Sequence, residues 1–268
     1  MTQPPTPGTL LRPEQRLVFV GGLHRSGTSL LARLVAAHPD ASGLSGTNVP
    51  EDEGQHVQDV YPVGTEHGGP GRFANAPEAH LTESSPLATP ANAQRLIESW
   101  APYWDMSRTY LVEKTPPNLL MSRFLQQLYP EACFVFIVRH PIPVSLASRK
   151  WRKKLAFGRL MNHWFTAHDT AREDLPHLRR VHVLKYEDLM ARPDQSLRAV
   201  AEFIGLPSAL DGSEINPSRT DTYAKQWAEL LASGDETANR MVQRFSGRAT
   251  EYGYDLTDLS KVGPFPSW

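Results

Sequence analysis

A glycine-rich run close to the start of the chain has the spacing of a phosphate-binding loop. It reads Gly22-Leu23-His24-Arg25-Ser26-Gly27-Thr28-Ser29, with two glycines five positions apart. Glycines let backbone N–H groups close around phosphate oxygens, and the helix expected next adds the positive end of its dipole. The run therefore predicts a nucleotide phosphate site, whose candidate binding residues are His24, Arg25, Ser26, Gly27, Thr28 and Ser29.

The loop departs from an ATP-binding P-loop at two places. Gly27 is followed by Thr28 and Ser29, where the ATP-binding pattern has lysine before the hydroxyl residue. The apolar run at 133–138 ends in Arg139, where an aspartate would be needed to hold magnesium. Arg25 supplies a cation from a different position within the loop. We therefore expect phosphate binding without a metal ion.

Arg139-His140-Pro141 forms a second candidate anion site. A guanidinium fork together with a hydroxyl on the helix that follows suits a phosphate group, and that helix carries Ser145 and Ser148. Two phosphate sites at the ends of neighbouring strands fit a nucleotide that is phosphorylated at two positions.

Alternating strands and helices must position these residues. Apolar runs predict strands at 17–20, 110–112, 133–138 and 181–184, and helical periodicity predicts helices at 28–37, 91–100, 118–129, 143–151, 155–172, 196–204, 223–232 and 236–245. This order is typical of a doubly wound parallel sheet flanked by helices, which binds ligands at the carboxyl ends of its strands. The fold class is therefore α/β, with a P-loop-like sheet.

The chain is expected to form one domain. We predict a disordered leader at 1–12 and a single domain at 13–268, in which the irregular stretch 40–90 forms an acceptor wall or a lid. The net charge of -1 gives no general attraction to nucleic acid, and no apolar run approaches the ~20 residues of a membrane span. Cys133 is the only cysteine, so a buried thiol and a cytoplasmic protein are expected.

The two anion elements, residues 19–29 and 136–141, resemble the signature elements of the PAPS-dependent sulfotransferases. The closer likeness is to the branch that contains the tyrosylprotein sulfotransferases and many bacterial enzymes, and the segment 185–189 also resembles that branch. The resemblance extends from about residue 16 to 206. It implies that PAPS is the co-substrate, with the first element at its 5′-phosphosulfate and the second at its 3′-phosphate.

The resemblance also suggests further donor contacts. The family serine that follows the arginine by eight positions falls at Ala147, so Ser148 is favoured over Ser145 for the 3′-phosphate. Tyr186 lies in the third similar segment. Arg248 is a candidate by analogy with a basic C-terminal segment of cytosolic sulfotransferases.

The catalytic groups are expected after the second predicted strand and in the irregular stretch. Lys114 resembles the lysine that stabilises the bridging oxygen as the sulfo group leaves, and Arg25 assists from the loop. The family's catalytic glutamate falls at Ser45 or Gly46, neither of which can act as a base. The acidic run that follows supplies the alternatives, which in order of preference are Glu53, Glu51 and His56.

Three functions compete for these features. The preferred one is transfer of a sulfo group from PAPS to a hydroxyl or amine of a small molecule, sugar, lipid or peptide. A P-loop kinase is the runner-up, and a nucleotide- or nucleic-acid-binding module without catalysis is the third. The basic run at 149–154 allows nucleic-acid binding, although its position after Arg139 favours donor steering instead. The sequence does not fix the acceptor or the oligomeric state.

Overall fold

A parallel sheet forms the centre of the molecule in a computed structural model that describes residues 11–216 and 221–265. Within these residues its strands are β1 (Arg16–Gly22), β2 (Ala41–Gly43), β3 (Tyr110–Lys114), β4 (Cys133–Val138) and β5 (Val181–Lys185). They lie in the order β2-β3-β1-β4-β5, and all neighbours are parallel. The predicted leader lies almost wholly outside the described ranges.

Helices cover both faces of the sheet. They are α1 (Thr28–Ala36), α2 (Pro90–Trp100), α3 (Asn118–Leu128), α4 (Pro141–Trp151), α5 (Phe157–Asp174), α6 (Tyr186–Ala191), α7 (Pro193–Ile204), α8 (Asp221–Ala232) and α9 (Glu236–Thr250). On β1, Val18 and Val20 pack toward α1 and α7, whereas Leu17 and Phe19 pack toward α2, α3 and α5. Because successive strand residues face opposite sides, an almost wholly apolar strand needs cover on both. The predicted P-loop-like α/β fold is confirmed.

Residues 44–89 contain no strand or α-helix but are packed onto the domain. They form short 3₁₀ turns, and Val60, Tyr61 and Phe73 from this stretch are buried in the main core. The strand β2, which comes just before, was not predicted. It has only three residues, Ala-Ser-Gly, which is too short to show an alternating pattern and poor in β-branched residues.

The C-terminal segment closes over the end of β5. Lys185 is buried, and its Nζ donates to the carbonyls of Tyr252 and Gly263 at 2.8 and 2.6 Å. Tyr252 and Tyr254 are themselves buried, as expected for core aromatics. Cys133 is also buried, and burial raises the pKa of its thiol. Within the described ranges, no helix combines the length and apolar composition needed to cross a membrane.

Candidate active site

The carboxyl ends of β1, β3, β4 and β5 meet at one edge of the sheet. They deliver the glycine-rich loop, Lys114, Arg139 and Tyr186 to that edge, because parallel neighbours all end on the same side. An open cleft of about 510 Å³ lies there. Its lining includes Arg25, Gly27, Thr28, Ser29, Arg33, Glu51, Arg139, Lys150, Tyr186 and Tyr223.

The loop between β1 and α1 has the form of an anion site. Its backbone is left-handed at Arg25 (φ 73°) and at Gly27 (φ 107°), which precedes the first helical residue. No side chain caps the start of α1, so its first N–H groups face the cleft without that partner. The Ser26 hydroxyl is buried and donates to the Leu23 carbonyl at 2.6 Å, so this serine shapes the turn.

Arg139 lies beside this loop as a buried, preorganised cation. Its guanidinium stacks 4.1 Å from the centre of the Tyr186 ring, and its Nη1 donates to the Arg25 carbonyl at 3.2 Å. The buried Nε has no hydrogen-bond partner among the described residues. Because a buried guanidinium donor is costly to leave unpaired, this geometry suits an anion that enters the cleft.

Aromatic and basic side chains form the rim of the cleft. Trp151 is 64% exposed, and the Arg25 guanidinium lies 4.6 Å from its ring. Lys150 lies 4.9 Å from the ring of Tyr223. The basic run had singled out Lys150 and Trp151, but no signal pointed to Tyr223, which is distant in the chain and is brought here by α8.

Lys114 and Glu53 form a buried ion pair at the end of β3. The Lys114 Nζ is 3.1 Å from Glu53 Oε1, and both side chains are less than a tenth exposed. Glu53 Oε2 accepts from Gln55 Nε2 at 2.6 Å, and His56 Nε2 lies 3.8 Å from the same oxygen. The structure thus brings together the predicted leaving-group lysine and two of the three candidate bases.

The third candidate base, Glu51, lies elsewhere. Its carboxylate accepts from the Ser29 hydroxyl at 3.0 Å and lines the cleft beside the phosphate-binding loop. Its backbone is left-handed (φ 57°), and it also lines a smaller cavity together with Lys114. Glu51 therefore borders both the phosphate-binding cleft and the cavity that Lys114 lines.

His24 lies behind the loop as a neutral imidazole. Burial, together with the nearby positive charges of Lys114 and Arg152, lowers its pKa to about 3. Its buried Nδ1 has no partner among the described residues, and its ring packs edge-on against Phe73. At neutral pH His24 is therefore an uncharged hydrogen-bonding group and adds no cation to the loop.

Two predicted donor contacts lie away from the cleft lining. Ser148 lines a small separate cavity together with His24 and Ser145. Arg248 forms an ion pair with Asp169 on α5. The roles predicted for Ser148 and Arg248 toward the donor therefore stay predictions, without a cleft contact in this structure.

Comparison with known proteins places the chain in a family. A profile of the Sulfotransferase family matches residues 18–210. The chain is 27% identical over 203 residues to protein-tyrosine sulfotransferase 2 of Gallus gallus, covering 72% of this chain and 52% of that protein. It is 27% identical over 215 residues to the protein-tyrosine sulfotransferase of Drosophila melanogaster, covering 72% of this chain and 39% of that one. The chain thus spans about half or less of the length of these relatives.

A solved structure shows the same fold. The sulfotransferase STF1 of Mycobacterium tuberculosis superposes with a TM-score of 0.50 at 18% identity, covering 87% of this chain and 77% of that one. The matched region of the family profile includes the glycine-rich loop and Arg139, which line the cleft, and the Lys114–Glu53 pair at the neighbouring strand end. On this evidence the chain belongs to the Sulfotransferase family.

Proposed function

We propose that the chain transfers a sulfo group from PAPS to the hydroxyl of an acceptor. The observation that carries the proposal is the meeting of two anion sites in one cleft, the glycine-rich loop and the buried Arg139, with the Lys114–Glu53 pair at the neighbouring strand end. A donor with phosphates at both ends of its ribose needs two such sites. Family membership supports the same chemistry.

The donor is held by groups that are already in place. The uncapped start of α1, with Thr28 and Ser29, faces the 5′-phosphosulfate, and Arg25 neutralises its charge from the loop. Arg139, fixed by the Tyr186 ring, holds the 3′-phosphate. Arg139 is buried and already stacked, so little conformational entropy is lost when the donor binds.

The transfer step needs a base that takes the acceptor proton and a cation that stabilises the leaving oxygen, and the adjacent Glu53 and Lys114 supply the two groups. The acceptor oxygen attacks sulfur and forms the new S–O bond, while the bond from sulfur to the bridging oxygen of the phosphosulfate breaks. The acceptor proton passes to the Glu53 carboxylate, and adenosine 3′,5′-bisphosphate leaves. Lys114, 3.1 Å from Glu53, stabilises the charge that develops on the bridging oxygen.

The acceptor class stays open between small molecules, sugars, lipids and peptides. The relatives from Gallus gallus and Drosophila melanogaster are protein-tyrosine sulfotransferases, which favours a peptide tyrosine as the first acceptor to test. Localisation in the cytoplasm also stays a prediction.

Calorimetry with adenosine 3′,5′-bisphosphate, and with ATP plus magnesium, tests the proposal. We expect the bisphosphate to bind without magnesium, and Arg139→Ala to weaken binding by about 10- to 100-fold, as the loss of a charge-assisted contact of about 1.5–3 kcal/mol implies. The exposed Arg108, which pairs with Asp105 far from the cleft, provides the control variant Arg108→Ala. Absence of bisphosphate binding, or binding unchanged in Arg139→Ala, would contradict the proposal. Phosphoryl transfer from ATP that EDTA abolishes would instead establish the kinase alternative.

A further inference from the structure

Glu113 is a buried carboxylate that forms no ion pair within the part of the chain that the structure describes. It precedes Lys114 on β3, so the two side chains point to opposite faces of the sheet. Glu113 is 1% exposed, and it accepts from three neutral donors: the Gly54 backbone N–H at 2.9 Å, the Thr115 hydroxyl at 2.6 Å and Asn118 Nδ2 at 2.5 Å. Burial raises the pKa of Glu113 to about 7 despite these bonds. Burying an ionised carboxylate without a cation destabilises the folded state. The role of Glu113 is therefore sought in the groups that it binds.

Those contacts hold the backbone next to Glu53. The Gly54 N–H donates to Glu113, and the Gly54 carbonyl accepts from Trp100 Nε1 at 3.0 Å. The next residue, Gln55, donates its N–H to the Thr115 hydroxyl at 3.1 Å. The peptide groups that follow Glu53 are therefore fixed on both sides.

The approach is too close for any side chain at position 54. A Cβ on Gly54 would lie 2.5 Å from Glu113 Oε1 and 2.8 Å from Trp100 Nε1. The segment 53–55 thus crosses the end of β3 with Glu113 on one side, while the Glu53 carboxylate reaches Lys114 on the other. The position of Gly54 determines where that carboxylate lies.

We propose that Glu113 is a positioning residue, which fixes Glu53 against Lys114 by holding the Gly54 peptide. The inference rests on the proposed function, because it assigns a consequence for sulfo transfer. Glu113 does not touch the reacting atoms. It sets the place of the base, and a misplacement of about 1 Å reduces an enzyme's rate by about 100-fold.

The test compares Glu113→Ala, Glu113→Gln, Glu53→Ala and the Glu53→Ala/Glu113→Ala double variant. Transfer is followed with ³⁵S-labelled PAPS, using 4-nitrophenol and a tyrosine-containing peptide as acceptor probes. We expect Glu113→Ala to lower kcat by about 10- to 100-fold, while the Kd for adenosine 3′,5′-bisphosphate changes less than about twofold. Glu113→Gln keeps an acceptor for the Gly54 N–H and should retain most of the activity.

The double variant separates positioning from general damage. If Glu113 acts through Glu53, its removal costs no further activity once Glu53 is absent, so the double variant equals Glu53→Ala. Asp174 is a matched control, because it is also 1% exposed but binds His80 and Arg123 away from the cleft. Asp174→Ala should destabilise the fold and leave kcat unchanged. A kcat loss in Glu113→Ala that adds fully to that of Glu53→Ala, or that Asp174→Ala reproduces, overturns the inference.

Amide hydrogen exchange tests the positioning role of Glu113 without requiring catalytic turnover. If the wild-type chain transfers no sulfo group to either probe, the proposed function fails for those acceptors. Exchange at the Gly54 and Gln55 amides still tests whether Glu113 holds the Gly54 peptide. We expect faster exchange at both amides in Glu113→Ala and wild-type exchange in Glu113→Gln. Unchanged protection in Glu113→Ala would overturn the inference independently of activity.

Discussion

Gly27→Ala should weaken donor binding by displacing the ring of Tyr186, against which Arg139 stacks. Gly27 has a left-handed backbone (φ 107°), and a Cβ there would lie 2.8 Å from Cδ2 of Tyr186. An alanine in this conformation costs about 1–3 kcal/mol of folding free energy. The Tyr186 ring must also move, and the Arg139 guanidinium rests 4.1 Å from that ring. The substitution therefore shifts the cation assigned to the 3′-phosphate.

The expected loss of bisphosphate affinity follows from the contact between Arg139 and the 3′-phosphate. A hydrogen bond to a charged group contributes about 1.5–3 kcal/mol, so a displaced Arg139 should raise the bisphosphate Kd at least about tenfold. Calorimetry measures the Kd, and urea denaturation measures the free energy of unfolding. Gly234→Ala is the matched control, since Gly234 is also left-handed (φ 74°) but a Cβ there meets no atom within 4 Å.

The two glycine variants should have similar backbone strain but different affinities for the bisphosphate. Gly234→Ala should lose stability and keep the wild-type Kd, whereas Gly27→Ala should lose both. If Gly27→Ala binds the bisphosphate as the wild type does, the Tyr186 ring does not hold Arg139 in place for the 3′-phosphate.

Three further predictions concern Glu113, Trp151 and Cys133. Because the folded pKa of Glu113 is raised from 4.5 to about 7, its stabilising contribution is complete below pH 4.5 and is lost as pH rises through 7. Urea denaturation of the wild type and of Glu113→Gln isolates this group: across this window the unfolding free energy of the wild type should fall by about 3 kcal/mol relative to that of the variant. Trp151→Ala removes a stacking partner of Arg25 worth about 0.5–1 kcal/mol, so calorimetry should show the bisphosphate Kd rising only about two- to fivefold, with the melting temperature unchanged. The buried Cys133 thiol should react with a thiol reagent only after unfolding, since both burial and its raised pKa suppress the thiolate.

The sheet and its functional edge follow from strong local signals. The run at 133–138 is apolar at every position, and such a strand is stable only when both faces are covered. Its predicted bounds match β4, and the glycine-rich loop follows β1 as expected. Once the strands are parallel, their carboxyl ends must share an edge. The proximity of Arg139 to the loop therefore needed no contact information.

Contacts between segments that are distant in the chain could not be predicted from local sequence patterns. Tyr223 reaches the cleft because α8 packs against α4, and no sequence motif near Tyr223 predicts a binding role. The choice among Glu51, Glu53 and His56 depended on backbone direction. Glu51 has a left-handed backbone and its carboxylate accepts from Ser29, while the Glu53 carboxylate pairs with Lys114. Non-glycine residues in that conformation are rare, so residue type alone did not predict the separation.

The roles of Glu113 and Lys114 depend on their position in strand β3, and not on residue type alone. In the sequence Glu113 is most simply an ion-pair partner for a neighbouring cation. On β3 the alternation of side chains puts Lys114 on the face of α1 and Glu113 on the opposite face, where its hydrogen-bond donors among the described residues are neutral. The segment 53–55 crosses the strand end between them, so one residue binds the Glu53 carboxylate and the other the Gly54 backbone that follows. Two adjacent residues thereby fix one base from opposite sides, because β-strand geometry separates their side chains.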